Sequence, residues 1–80
     1  MSLFDMPKIF TNHEQIKEAL FKLSFLDYRE RQVVYDELVE KLSGDGVTRT
    51  EFIEVIRRLR REKLITEVAQ EHLLKLADND

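Results

Sequence analysis

The densest chemistry in the chain lies between positions 49 and 63. Arg49, Arg57, Arg58, Arg60, Arg61 and Lys63 stand there against Glu51, Glu54 and Glu62, a local balance of +3. The whole 80-residue chain carries −3, so the other 65 residues sum to −6. Arginine outnumbers lysine five to one in that window. The planar guanidinium forks onto phosphate or carboxylate, whereas a surface built only for solubility does not need that preference. Three readings account for such a stretch: solvated structural charge, a nucleic-acid contact, or an acidic protein partner. Glu54 lies one turn from both Arg57 and Arg58, so intrahelical pairs can absorb part of the charge. Cations at the end of a helix also meet its dipole favourably.

Other chemistry is thin. His13 and His72 are the only imidazoles, far apart and without a second ligand at helical spacing. His13 lies in a helix-start tetrapeptide, which explains it without a ligand role, and His72 reads as an ordinary surface or half-buried residue. No cysteine is present, which excludes a disulfide scaffold, a thiolate zinc site and a cysteine nucleophile. The two glycines, Gly44 and Gly46, are too few for a P-loop or a dinucleotide fingerprint. Gly44-Asp45-Gly46 has the look of a calcium loop, but setting Gly46 at loop position 6 puts Lys41 at position 1 and Phe52 at position 12. A bidentate glutamate is required at that last place, so calcium is rejected. No nucleophile–base pair, cofactor motif or metal-ligand spacing stands out. The expectation is a non-enzyme with no cofactor and no small-molecule substrate.

Local signals then place these residues on elements. Residues 1–10 show no period and contain the only proline, so they are read as an irregular leading segment. Thr11 and Glu14 have capping-box spacing, and Ile16, Ala19, Leu20 and Leu23 follow on one face of a helix over about 12–25. Phe21 and Phe25 widen that face. Asp27 and Glu30 repeat the box before a second helix over 28–43, with Val34, Tyr35, Leu38, Val39 and Leu42 as its apolar set. Gly44 suits a helix C′ position. Thr48 and Glu51 form a third box, opening a helix to about Glu62 whose apolar set is Phe52, Val55, Ile56 and Leu59.

Residues 64–77 fit two structures. As a helix capped by Thr66, Ile65, Val68, Ala69, Leu73 and Leu76 share a face, and Ala, Gln, Glu and Leu favour it intrinsically. As a hairpin, 64–68 and 72–76 are strands about Ala69-Gln70-Glu71, a turn without the Gly, Asn or Asp that tight hairpins prefer. Local rules favour the helix.

A glycine turn, a capped third helix ending Leu59-Arg60-Arg61-Glu62-Lys63-Leu64-Ile65, and alternating apolar residues at the end together resemble a winged helix-turn-helix domain. The ending "L-x-x-x-G-x-I" common in that family is matched at Leu59 and Ile65, with Lys63 in the glycine place. From Glu14 to Leu76 the spacing is most similar to the C-terminal winged helix of archaeal minichromosome-maintenance replicative helicases. The family's Pro- and Gly-containing wing turn is absent from Ala69-Gln70-Glu71. The resemblance implies a mainly α fold: three helices over 11–77 with a small C-terminal β-hairpin at 64–76, and a tail at 78–80. An all-α four-helix bundle is the alternative.

The function it implies is regulatory and non-catalytic, a module of DNA replication that touches DNA or a protein partner weakly. Arg49 and Thr50 would start the recognition helix, Arg57, Arg58 and Arg61 would lie along its exposed side, and Lys75 on the wing. A recognition helix reads bases with its N-terminal part. Here that part carries Glu51 and Glu54 beside Arg49 and Thr50, so phosphate contact with weak sequence preference is expected. A protein-interaction module is the rival, favoured by a pI near 5.4. In that reading Phe4 or Phe10 could dock a partner, although both more often complete a core. No apolar run reaches the ~18–20 residues of a membrane span, and no leader-like segment opens the chain. A cytoplasmic, intracellular protein with no membrane partner is expected.

Overall fold

The computed structural model describes residues 8–42 and 46–78. The described chain is mainly helical, with one small antiparallel sheet. In order it runs β1 (Lys8–Phe10), α1 (His13–Phe21), α2 (Tyr28–Lys41), β2 (Val47–Thr48), α3 (Arg49–Arg61) and α4 (Glu67–Asp78). The two strands pair antiparallel, Lys8 opposite Thr48 and Phe10 opposite Val47, with an irregularity in β1 between those pairs.

The helix starts follow the caps. Asp27 accepts from the Glu30 amide while the Glu30 carboxylate accepts from the Asp27 amide, closing the expected box at α2. Thr48 and Glu51 do the same at α3. At α1 the register differs by one residue from the expected Thr11–Glu14 box. Asn12 caps by accepting from the Gln15 amide, and Gln15 Oε1 accepts from the Thr11 amide at 2.7 Å. Asparagine caps at least as well as threonine, so the neighbour takes the role.

Residues 64–76 do not form the hairpin that the winged-helix resemblance implied. They lead into α4, capped by Thr66, whose hydroxyl accepts from the Ala69 amide at 3.1 Å. Ile65, Ala69, Leu73 and Ala77 are all buried, so α4 and the residue leading into it turn a stripe at i, i+4 spacing towards the core. The turn-poor centre and good helix formers decide the matter, as the local rules favoured. The antiparallel pair lies elsewhere, at Lys8–Phe10 and Val47–Thr48, so the leading segment is not irregular throughout. Phe10 is buried and meets Phe52 edge-on at 5.8 Å between ring centroids. Asp78, the first residue of the expected tail, belongs to α4, and the rest of that expectation lies outside the described residues. The expectations for Phe4 and for Gly44 as a helix terminus fall outside the described residues.

Gly46 is where the sheet requires glycine. Its φ is +114°, and a Cβ there would stand 2.7 Å from the Phe10 carbonyl oxygen. Both the left-handed backbone and the close strand approach exclude a side chain.

The element order is one β-α-α unit followed by another, and the buried positions repeat with it. Ile16 and Leu20 in α1 correspond to Phe52 and Ile56 in α3, each pair 36 residues apart. Leu26, Val34 and Leu38 correspond to Ile65, Leu73 and Ala77, each 39 apart. The offset grows by three because α3 is four residues longer than α1, 13 against 9, while the connection that follows it is one residue shorter. α1 packs on α2, α2 on α3, and α3 on α4, with the core between them.

Two polar side chains of α2 reach beyond their own helix, the first of them to the other half. Glu30, buried in the first turn of α2, places its second oxygen 2.7 Å from the Thr66 amide, so one carboxylate serves the starts of both α2 and α4. Arg31 donates to the carbonyls of Leu20, Leu23 and Leu26 at 3.2–3.3 Å, tying α2 to the loop that follows α1, where the Leu20 and Leu23 carbonyls also accept from the Leu23 and Leu26 amides. Phe21 and Phe25 do not join the core. They are 76% and 61% exposed, and Phe25 stacks on His72 of α4 at 4.1 Å.

Candidate nucleic-acid interface

The cations concentrate at the C-terminal end of α3, where its stop adds one more. α3 ends in a Schellman turn: the Leu64 amide donates to the Leu59 carbonyl and the Lys63 amide to that of Arg60. Lys63 takes the left-handed position with φ 62°. This is the place where the resemblance expects glycine, and the backbone there has the glycine-type conformation with a lysine in it.

Two shallow depressions flank this end of the helix. One, of about 390 Å³, is lined by Lys41, Glu54, Val55, Arg57, Arg58 and Arg61. The other, of about 580 Å³, is lined by Arg57, Arg60, Arg61, Lys63, Glu67 and Gln70. Arg57 and Arg61 belong to both, so they form a ridge between two basic hollows. Each hollow carries four cations against one lining carboxylate, Glu54 in the first and Glu67 in the second. A cleft whose lining charge is mainly of one sign attracts counter-ions of the other.

The expected site residues divide. Arg57 and Arg61 are exposed and come together. Arg58 is half-buried and pairs with Glu37 of α2, an interhelical bond in place of the intrahelical pair with Glu54. Its Nε is buried with no hydrogen-bond partner, so Arg58 is the least available of the three. Arg49 lies eight residues before Arg57, about 12 Å along the axis. Its Nε donates to the Ala77 carbonyl at 3.1 Å, holding the end of α4. Thr50 is exposed beside it at the same distant end. Lys75 is exposed on α4, not on a wing, and lines neither hollow. Lys41, Arg60 and Lys63 do line them. Arg60 and Lys63 belong to the basic window of the sequence. Lys41 has no local signal, because only the packing of α2 on α3 carries it there.

Other chemistry can be placed briefly. The Glu51 carboxyl is held below its ordinary pKa, chiefly by the Thr48 amide that it accepts from. His13 is exposed in the first turn of α1. His72 Nδ1 lies 2.8 Å from the Val68 carbonyl, which makes it the donor nitrogen. Among the described residues no group of three or more His, Asp or Glu side chains could hold a metal ion. No described helix is long and apolar enough to cross a membrane. Comparison with known protein families, with curated proteins and with solved structures finds no match to this chain.

Proposed function

We propose that this chain is a non-catalytic module that docks on nucleic acid through its phosphates, with weak sequence preference. The observation that carries the reading is the ridge of Arg57 and Arg61 shared by two basic hollows. A duplex backbone offers phosphates at regular spacing, and two forked donors on one helix face suit successive phosphates without reading a base. The helix-turn-helix order of α2 and α3 is the part of the winged-helix resemblance that this proposal keeps. The wing is not part of it, because α4 occupies that stretch. A regulatory tail on a replicative helicase is the setting that the resemblance suggests for such a module.

Duplex binding should fall as salt rises, with a logarithmic slope of about 0.9 for each phosphate neutralised. Fluorescence anisotropy of a labelled duplex across a salt series measures that slope. Replacing Arg57 and Arg61 together with alanine should flatten it by about two, one for each lost contact. An unchanged slope and affinity in that variant would sink the proposal. A net charge of −3 favours a second reading, in which the same arginines meet an acidic protein. The outcome for that reading is the reverse: no duplex binding at low salt, and capture of an acidic partner that the double variant loses.

A further inference from the structure

We infer that the groove between α1 and α2 is a second binding site, which takes an unpaired base of a single-stranded nucleic acid by stacking. The groove is about 250 Å³, with Phe21, Tyr28 and Tyr35 as aromatic walls and Lys17, Arg31 and Gln32 as polar ones. No carboxylate is among its lining residues. Of the acids of α2 next to lining residues, Glu30 is buried and bonded to the Asp27 and Thr66 amides, and Asp36 accepts from the Gln32 side-chain amide at 2.9 Å; both lie outside the lining. Glu14 and Glu18 of α1 are exposed and also outside it.

Two rings stand unusually open. Phe21 is 76% exposed and Tyr28 is 80%, the most exposed large apolar side chains among the described residues. Such rings rim a groove only at a cost in exposed apolar area, and a ligand with its own flat face removes that cost. Arg31 supplies a fixed charge. Its guanidinium carbon lies 5.9 Å from the Phe21 ring centroid, and three backbone carbonyls already hold the group in place. The cation therefore stands beside the ring with little rotamer freedom left to lose. Lys17, on its flexible stem, can follow a phosphate.

Aromatic faces interleaved with cations are what a single strand needs: bases stack on the rings and the backbone tracks the charge. A duplex hides its base faces and gains nothing here, so this site and the α3 face select different forms of nucleic acid. An acidic peptide would match the charge but has no flat face for the open rings, which is why the base is favoured over it.

The test uses the full chain with labelled oligothymidylate and, separately, a duplex of equal length, both at low salt. Phe21→Ala with Tyr28→Ala should weaken oligothymidylate binding about tenfold or more, as the loss of stacked bases requires. Duplex affinity should change less than twofold. Phe21→Trp should retain oligothymidylate binding, and its indole emission should be quenched on addition of the strand. Arg57→Ala with Arg61→Ala should do the opposite, weakening the duplex more than the single strand. Oligothymidylate affinity unmoved by the aromatic pair overturns the inference even if the duplex binds α3. Duplex failure with intact, aromatic-dependent strand binding sinks only the α3 proposal. Binding of a Glu/Leu peptide in place of the oligonucleotide overturns the inference. So does a dimer that the aromatic variant dissolves in sedimentation.

Discussion

The two β-α-α halves share a buried scaffold and differ in what that scaffold presents. At the position 36 residues apart where α1 shows Phe21, α3 shows Arg57, and the next pair is Lys22 and Arg58. At the first of these places the first half exposes an aromatic ring where the second exposes a guanidinium group, and at the next both halves are basic. The buried side repeats more faithfully, with Ile16 and Leu20 matched by Phe52 and Ile56. Core positions are constrained by close packing, so changes of volume there cost stability. Surface positions on the same frame are free to diverge, and the two candidate sites arise from that freedom.

The halves also differ at their second helices in one buried place. Glu30 is the third residue of α2, and the corresponding place in α4, 39 residues on, is Ala69. Alanine cannot complete a capping box. Glu30 does so for both helices, with one oxygen on the Asp27 amide and the other on the Thr66 amide. Glu30→Ala would leave two amide donors without their acceptor, and each orphaned donor costs about 1–3 kcal/mol when water cannot reach it. Partial hydration at the ends of these helices places the expected loss near 3 kcal/mol. For a chain this size that is a fall in Tm of about 4–8 °C per kcal/mol. Thermal unfolding followed by circular dichroism checks it, and a fall of only a degree or two would show that the halves do not depend on this link. Amide exchange sharpens the comparison. α4 should lose protection first, because Thr66 still caps Ala69 but its own amide is left open.

The ends of the two first helices give a smaller and opposite effect. α1 passes into its loop with Lys22 in right-handed conformation, and Arg31 adds side-chain hydrogen bonds to the carbonyls of Leu20, Leu23 and Leu26. α3 ends instead on Lys63 at φ 62°, a conformation that costs a side-chain-bearing residue about 1–2 kcal/mol. Lys63→Gly relieves that cost but adds unfolded-chain entropy. The net expectation is a gain of about 1 kcal/mol, measured as a raised denaturation midpoint. A stability loss would mean that the lysine side chain contributes more at this helix end than its backbone conformation costs. The same variant removes one cation from the second hollow, so duplex binding should weaken as stability rises.

Much of this arrangement was legible one helix at a time. The boxes at Asp27–Glu30 and Thr48–Glu51, and the buried set Phe52, Val55, Ile56 and Leu59, follow from spacing that a helix alone dictates. α4 was legible too, from Thr66 and the Ala, Gln, Glu and Leu that follow it, and it was the winged-helix resemblance that pointed away from it. Lys8–Phe10 was not legible, because a three-residue strand has no period and its partner, β2, lies far along the chain. The repeat was hidden because the extra turn of α3 shifts the offset from 36 to 39 partway through. At the candidate site, Arg57 and Arg61 could be read from the basic window. The withdrawal of Arg58 by Glu37 and the arrival of Lys41 could not, since both depend on how α2 lies against α3.

The smallest expected effect separates the two first helices by pH. At α1, Gln15, which is neutral at every pH, accepts from the Thr11 amide just before the cap, whereas α3 closes a capping box with Glu51. The Thr48 amide holds the Glu51 carboxyl below its ordinary pKa, so folding favours the ionised form. Its contribution is therefore complete above the carboxyl's unfolded-state pKa and is lost as pH falls through the lower folded-state value. Glu51→Gln puts a neutral amide there, as at Gln15 of α1, and removes that dependence. The variant should match the parent more closely at acid pH than at neutral pH, where the parent keeps its charged cap and a small advantage. Parallel thermal melts across the acid range measure the difference. A constant gap at all pH values would place the value of Glu51 in its shape alone, as in α1. A gap that closes on acidification would assign it to the charge, which faces the positive end of α3's dipole and strengthens the hydrogen bond from the Thr48 amide.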